Sequence, residues 1–442
     1  MFLLDTSILL SSPQAIFNFD EHDVAISMDT VNELTNSRKI FGETGANARE
    51  ALRAIAEYVN APLPGGGVLR VVNRSEYTAS WRDPASIVDV YRYLHDNCGN
   101  KRIVIISNNS TTKILAAVHH LPIEPYRTEQ VAPPLQQYTG RREIYASTQI
   151  VCELLQHKTV EITPQVMRQI THVVESDFIE NEFVTIHDAS NPVSTVLAMY
   201  RNGHLNTLFE SPNPYGITPR KAGQRFAIEA LTAPADKIPL VILKGPAGTA
   251  KTFLSLAAAL EQTINQQMYD RILVTRPNIK FDNDIGYLKG TEEEKIGPLI
   301  RPVMDNLELL CRTDGAISKG DTTLNNYVQD LFNRGIIAAQ AMAYMRGRSI
   351  ANTFILLDEA QNMNPTQAFG IISRVGAGTK VVLAGDPEQI DNPELDRRNN
   401  GLSYASERMR GSALCAQITF EPDECVRSPL ALEAIKNMSN KH

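Results

Sequence analysis

At 442 residues, with 43% hydrophobic and 21% charged side chains, the chain has room for two or three domains and an ordinary globular composition. Its net charge of −7 excludes a broadly basic nucleic-acid coat, so any such binding has to come from a local patch. The five scattered cysteines (Cys98, Cys152, Cys311, Cys415 and Cys425) form no CxxC, which argues against zinc and disulfides and for a reducing, cytoplasmic setting. The opening MFLLDTSILL meets Asp5 without a positive n-region, which argues against a signal peptide. No apolar run approaches the roughly 20 residues of a membrane span.

The first half alternates strand and helix patterns. Leu3-Leu4-Asp5 puts an acid at the end of a short apolar strand, and a second strand, Val24 to Ser27, leads into a helix start around Glu33. A helical stretch runs from Ala46 to Val59, and another begins at Asp83-Pro84, with apolar positions Ile87, Val90, Tyr91 and Leu94. The strand Arg102 to Ile106 ends in Ser107-Asn108-Asn109. This alternation predicts an α/β fold, a parallel sheet with helices on both faces, in which acids at strand ends converge on one crevice.

Over residues 1–130 the chain resembles a PIN-domain nuclease, through its LLDTS opening, its VNEL segment and the helix start Asp83-Pro84-Ala85-Ser86-Ile87. That resemblance implies that Asp5, Glu33 and Asp83 hold one or two divalent cations, Mg²⁺ or Mn²⁺, which activate water against a phosphodiester. The family's further aspartate, in a T-x-D pattern, corresponds here to Ser107-Asn108-Asn109, so Asn109 removes a charge and weakens the case for cleavage. Asp89 rivals Asp83. Blander readings stand beside these: Asp5 as a cap, and Glu33 as a first-turn acid favoured by the helix dipole.

Turn formers fill 132–140, so residues 131–144 read as a linker. Residues 145–212 carry short β-type runs, such as Glu182 to Ile186 and Val196 to Tyr200, punctuated by Ser190-Asn191-Pro192 and Asn202-Gly203. They read as a small, mostly β, barrel-like module that contacts nucleic acid or spaces its neighbours. Ser211-Pro212-Asn213-Pro214 opens the last domain, 213–442.

In that domain Val241–Thr252, VILKGPAGTAKT, is a buried strand breaking into a glycine-bearing turn and then an apolar helix. This is the phosphate-loop pattern. The backbone from Gly245 through Pro246, Ala247, Gly248, Thr249 and Ala250 cradles the phosphates of ATP, Lys251 reaches the β/γ-phosphates, and the Thr252 hydroxyl holds Mg²⁺. The pattern wants glycine where Ala250 stands, and a methyl is tolerable there if the position needs no positive φ. Gln224, some twenty residues upstream, could read adenine with its amide, or be an ordinary surface glutamine. Thr353 to Glu359 is an apolar strand delivering two carboxylates: Asp358 for Mg²⁺ through water, and Glu359 as general base. Val381 to Ala384 ends in Gly385-Asp386-Pro387-Glu388-Gln389, which places Gln389 to sense the γ-phosphate or its water.

From about Asn213 onward the chain resembles the PhoH family of ATPases, relatives of the superfamily-one helicase motor core, through GPAGTAKT, TRPNIKFDNDIGYLKG, MAYMRGRS, LLDEAQN and GDPEQID. The whole chain therefore looks like a PIN–PhoH protein: a PIN-like parallel sheet, a β-rich middle module and a RecA-like P-loop ATPase. The resemblance implies ATP hydrolysis coupled to RNA binding, unwinding or cleavage, in a homo-oligomer, a hexameric ring being one form of it. With one motor lobe present, an arginine at the γ-phosphate has to come from another subunit, with Arg427 and Arg374 as candidates. Arg276, Lys280, Arg346 and Arg348 lie beside the nucleotide motifs and could grip RNA phosphates. Glu292-Glu293-Glu294 reads as a solvated turn. Three functions remain open: an RNA-directed ATPase motor feeding a metal-dependent nuclease, an ATP-switched RNA-binding module with an inactive PIN scaffold, and a nucleotide-dependent assembly factor that never touches nucleic acid.

Overall fold

The computed structural model describes residues 1–442 except 20, 41–42, 60, 78–86, 100, 127–130, 132–135, 172–177, 209–212, 278–291, 314–322, 341, 343–349, 393–394 and 427–442. The chain divides into two compact units, Met1–Gln130 and Val131–His442.

The first unit is built on β1 (Phe2–Leu4), β2 (Val24–Ser27), β3 (Leu69–Val72), β4 (Val104–Ile106) and β5 (Ile123–Glu124). All pair in parallel, in the order β3-β2-β1-β4-β5. Successive residues alternate between two cores. Leu4, Val24, Ile26, Val104 and Ile106 pack on one face, whereas Leu3, Ala25, Val72 and Ile105 pack on the other. A parallel sheet covered on both faces needs such uninterrupted apolar strands, which is why these runs stand out in the sequence. The helix expected over Ala46 to Val59 spans Glu43–Tyr58.

In the second unit, β6 (Arg141–Ala146), β7 (Thr159–Glu161), β8 (Ile170–Thr171), β9 (Phe183–Asp188), β10 (Thr195–Arg201) and β11 (His204–Thr207) form one sheet. Its order is β7-β11-β10-β9-β6-β8, so among the described residues it is open, with two edges, rather than a closed barrel. Only the β6–β9 pair is parallel, and the helix Thr148–His157 covers one face.

The segment read as a linker is bonded into this unit. Val131 N–H donates to Arg398 O, Lys244 Nζ donates to Tyr138 O at 2.7 Å, and β6 already begins at Arg141. Gly140 sits at φ 77°, where a Cβ would clash with Gln417 O. At Gly140 the turn former serves close packing.

The nucleotide fold uses β12 (Leu240–Lys244), β13 (Arg271–Thr275), β14 (Ile337–Ala339), β15 (Thr353–Leu357), β16 (Lys380–Gly385) and β17 (Cys415–Thr419). All are parallel, in the order β14-β13-β15-β16-β12-β17, with β12 buried along its whole length. The carboxyl ends of β12, β13, β15 and β16 therefore lie along one edge, where ligands of open α/β sheets collect. Glu292, Glu293 and Glu294 are not a turn: they open the helix Glu292–Thr313.

Candidate functional site

The phosphate loop is a strained turn held by its surroundings. Gly245 sits at φ 139°, and a Cβ there would lie 2.8 Å from Phe420 Cβ, so only glycine lets the backbone pass. Thr249, fully buried, closes the loop by donating from Oγ1 to Pro246 O at 2.9 Å. Ala250 adopts φ 68°, ψ 21°, and its carbonyl accepts from Leu254 N–H at 2.8 Å to start the helix Lys251–Leu260. The condition under which its methyl was harmless is not met. An L-residue in the left-handed region costs about 1–2 kcal/mol relative to one in the right-handed region. Lys251 Nζ arches back over the loop, donating to Gly245 O at 2.7 Å and Pro246 O at 2.9 Å.

Thr252 Oγ1 donates to Asp358 Oδ1 at 2.7 Å, which joins the start of that helix to the end of β15. Asp358 is 5% exposed, and burial pushes its carboxyl above the ordinary carboxylate value, against the pull of Arg276 and of the Thr252 hydrogen bond. A divalent cation fits this pair: both donors are hard oxygens, and a cation would relieve the desolvated charge.

Glu359 stands in the left-handed region at φ 55°, a conformation that non-glycine residues keep where the surroundings force it. Its Oε1 accepts from Arg276 Nη2 at 2.8 Å and its Oε2 from Gln361 Nε2 at 2.7 Å. Arg276, grouped in the sequence with the RNA-phosphate candidates, thus turns inward. Its Nε lies 3.2 Å from Asp358 Oδ2, an ion contact without hydrogen-bond alignment.

Two residues here escaped assignment from sequence. Gln361, fully buried, also donates to Gln389 O at 2.8 Å and accepts from Asp386 N–H at 3.1 Å, so it ties the end of β15 to the turn after β16. Asp386 is 6% exposed and raised by burial, opposed by the Glu388 N–H and by Lys251. Gln389 is exposed, and its backbone, through the Gln361 bond, is what ties it inward. The only advance signal for Gln361 was its place two residues after Glu359 in LLDEAQN.

Gln224 is buried near the start of the helix Ala222–Thr232, and its Oε1 accepts from Arg220 N–H at 2.8 Å, so the acceptor half of the amide is already engaged. The neighbouring Gly223 N–H donates to Glu424 Oε1 at 2.7 Å, while Val426 N–H donates to Gly248 O at 3.0 Å. The segment after β17 thereby ties this helix start to the phosphate loop. Arg374 is exposed just past the helix Pro365–Ile372. Lys280, Arg346, Arg348, Arg427 and Asp83 lie outside the described residues.

In the first unit Asp5 follows β1 at an N-cap position, yet its side chain caps nothing. Its Oδ2 instead accepts from the hydroxyls of Ser7 at 3.1 Å, Thr112 at 3.1 Å and Ser107. Glu33 is exposed in the second turn of the helix Met28–Ser37, whose first-turn acid is Asp29, so the dipole reading does not apply to it. Asp89 pairs with Arg92 at 3.8 Å. Asn109 caps the helix Ser110–Val118, accepting from Thr111 and Thr112 N–H. Among the described residues no group of three or more His, Cys, Asp or Glu side chains could hold a metal ion.

The family profile described as PhoH-like protein matches residues 216–439, and that of the PIN domain matches residues 2–127. The chain is similar to Protein PhoH2 of Bacillus subtilis (strain 168), at 32% identity over 452 residues that cover 98% of each protein. It is also similar to Protein PhoH2 of Thermobispora bispora, at 28% identity over 97% of this chain and 94% of that protein. A shorter PhoH-like protein of Bacillus subtilis is 32% identical over 52% of this chain and 68% of its own length. No helix among the described residues is long and apolar enough to cross a membrane.

Proposed function

Because the chain belongs to the PhoH-like family and carries a PIN domain ahead of its PhoH region, we propose that it is a P-loop ATPase whose turnover is directed by bound RNA. The observation that carries this reading is the meeting of Lys251, Thr252, Asp358 and Glu359 at one sheet edge, with the 2.7 Å Thr252–Asp358 bond at its centre. The loop amides and the Lys251 ammonium bind and orient the phosphates of ATP. Thr252, and Asp358 through water, would hold Mg²⁺, which would supply Lewis-acid neutralisation of the phosphate charge. Glu359 takes the proton of the attacking water on its carboxylate, and Gln361 keeps that carboxylate aimed. Gln224 contacts the base with the half of its amide not bound to Arg220.

RNA phosphates meet the basic side chains beside these motifs, Lys280, Arg346 and Arg348 among them. The active form is a homo-oligomer, a hexameric ring in its fullest form, in which Arg374 or Arg427 of a neighbouring copy completes the γ-phosphate site. The test is ATP turnover with and without single-stranded RNA. Wild type should hydrolyse ATP faster with RNA, and Lys251→Ala should lose turnover; turnover retained in Lys251→Ala overturns the assignment.

For the PIN unit a second reading has its own support: that of a scaffold which binds RNA without cutting it. Asn109 spends its side chain on a helix cap, and three hydroxyls occupy Asp5 Oδ2. Labelled RNA with Mg²⁺ or Mn²⁺ separates the two. Cutting that vanishes in Asp5→Ala means a nuclease, and intact RNA means a scaffold.

A further inference from the structure

We infer that Arg276 is a switch cation shared between the catalytic carboxylates and RNA: without RNA its guanidinium holds Glu359, and an RNA phosphate that captures it releases Glu359 to meet water. The inference rests on the RNA-directed ATPase reading and names how that direction is exerted.

The register of the sheet sets the geometry. β13 and β15 pair so that Thr275 lies opposite Leu357, and Asp358 N–H donates to Thr275 O at 3.0 Å. One residue beyond the paired ends, Arg276 and Asp358 therefore emerge side by side. The guanidinium donates through Nη2 to Glu359 Oε1 at 2.8 Å and sits with Nε 3.2 Å from Asp358 Oδ2.

Glu359 is held on both sides. Gln361 donates to Oε2 at 2.7 Å and Arg276 to Oε1, so two of the carboxylate's lone-pair positions are taken and its orientation is fixed; release of Arg276 frees Oε1 to turn toward a water proton. The two donors differ in how easily they leave. Gln361 is fully buried and bonded at both ends of its amide, whereas the Arg276 side chain is 19% exposed and leaves its Nε without an aligned acceptor. Arg276 is the exchangeable one. Its planar fork suits a phosphate as well as a carboxylate, and a phosphate can offer the two aligned acceptors that Asp358 and Glu359 do not. Once Arg276 leaves, Asp358 keeps its hydrogen bond from Thr252.

RNA affinity without nucleotide tests the exchange apart from turnover. Fluorescence anisotropy with a labelled single-stranded oligouridine would compare wild type, Glu359→Gln, Arg276→Gln and the double variant. Weakening the Glu359 clamp should tighten RNA several-fold and steepen the salt dependence by about one phosphate contact. That gain should disappear when Arg276→Gln is added. A gain of equal size in the Arg276→Gln background would reflect charge removal alone and overturns the switch.

Turnover gives the second readout. Arg276→Gln should raise the RNA-free kcat several-fold, with a smaller change in the KM for ATP, and should flatten the response to RNA. Arg276→Lys, which keeps the charge but loses the fork, should fall between, and it stands in if Arg276→Gln does not fold. An RNA-free kcat that falls or stays level in the folded variants overturns the switch. Wild type that binds no RNA, or whose turnover ignores RNA, rejects the RNA-directed reading itself. RNA binding and stimulation without coupling between Arg276 and Glu359 reject only the switch.

Discussion

Thr252 Oγ1 and Asp358 Oδ1 stand 2.7 Å apart across two elements separated by 106 residues, so the hydroxyl and the carboxylate meet before any ligand arrives. A hydrogen bond to a buried charged group contributes about 1.5–3 kcal/mol. Thr252→Val, which keeps the volume and removes the donor, should lower nucleotide-free stability by about 1.5 kcal/mol in denaturant unfolding. A loss of that size toward the cation should raise the Mg²⁺ needed for half-maximal turnover about tenfold. An unchanged Mg²⁺ requirement would remove Thr252 from the cation site.

Asp358 carries a linkage of defined sign. Burial raises its folded-state pKa above the ordinary value of 3.8. Between those two values the folded chain holds a proton that the unfolded chain has lost, so stability falls as pH rises through that window and stays lowered above it. Asp358→Asn keeps an acceptor for Thr252 and removes the desolvated charge. At pH 8 without Mg²⁺ it should therefore stabilise the chain while abolishing turnover, with the gain shrinking as pH approaches 4. Thermal unfolding at the two pH values decides it. A variant less stable than wild type at pH 8 would mean that the Arg276 and Thr252 contacts outweigh the burial.

Ala250 shows where a sequence stops being readable. The order strand, loop, Lys-Thr is local, and so are the apolar runs that end in Asp358-Glu359 and Gly385-Asp386. All of these were legible because β strands of a doubly covered sheet must be continuously apolar and must deliver polar residues at one end. The sign of φ at residue 250 is not local information: it follows from how the loop folds over β12. The inward contact of Arg276 is hidden from the sequence for a related reason. Whether a strand-end arginine faces solvent or a carboxylate depends on which strand lies beside it, and β15 neighbours β13 across 77 residues of intervening chain, from Arg276 to Asn352. Gln361 carries no chemistry visible without the turn after β16 that it bonds.

The strain at Ala250 is measurable. Ala250→Gly should stabilise the nucleotide-free chain by about 1 kcal/mol, because glycine adopts the left-handed region freely. With the loop conformation relaxed, ATP should bind somewhat tighter and turn over at a similar or modestly higher rate. Calorimetric unfolding together with fluorescent-nucleotide titration checks both. Destabilisation would show that the methyl's packing on the core around Leu254 and Leu256 outweighs its backbone cost.

Asn109 offers the sharpest question about the first unit. Its Oδ1 accepts from Thr111 N–H at 2.8 Å and Thr112 N–H at 3.4 Å, and its own N–H donates to Ser107 Oγ at 3.1 Å. Ser107 in turn donates to Asp5. Aspartate caps helices as well as asparagine and suits the positive end of the helix dipole, so Asn109→Asp should fold with stability within about 0.5 kcal/mol of wild type. It would place a second carboxylate on the residue whose backbone N–H lies one hydroxyl away from Asp5. Mn²⁺ should then raise the melting temperature of this variant more than that of wild type, since a cation bound only to the folded state stabilises it. Mn²⁺-dependent RNA cleavage should appear or increase, and adding Asp5→Ala should abolish it. A normal fold with no Mn²⁺ shift would place the limit on metal binding somewhere other than the charge at residue 109.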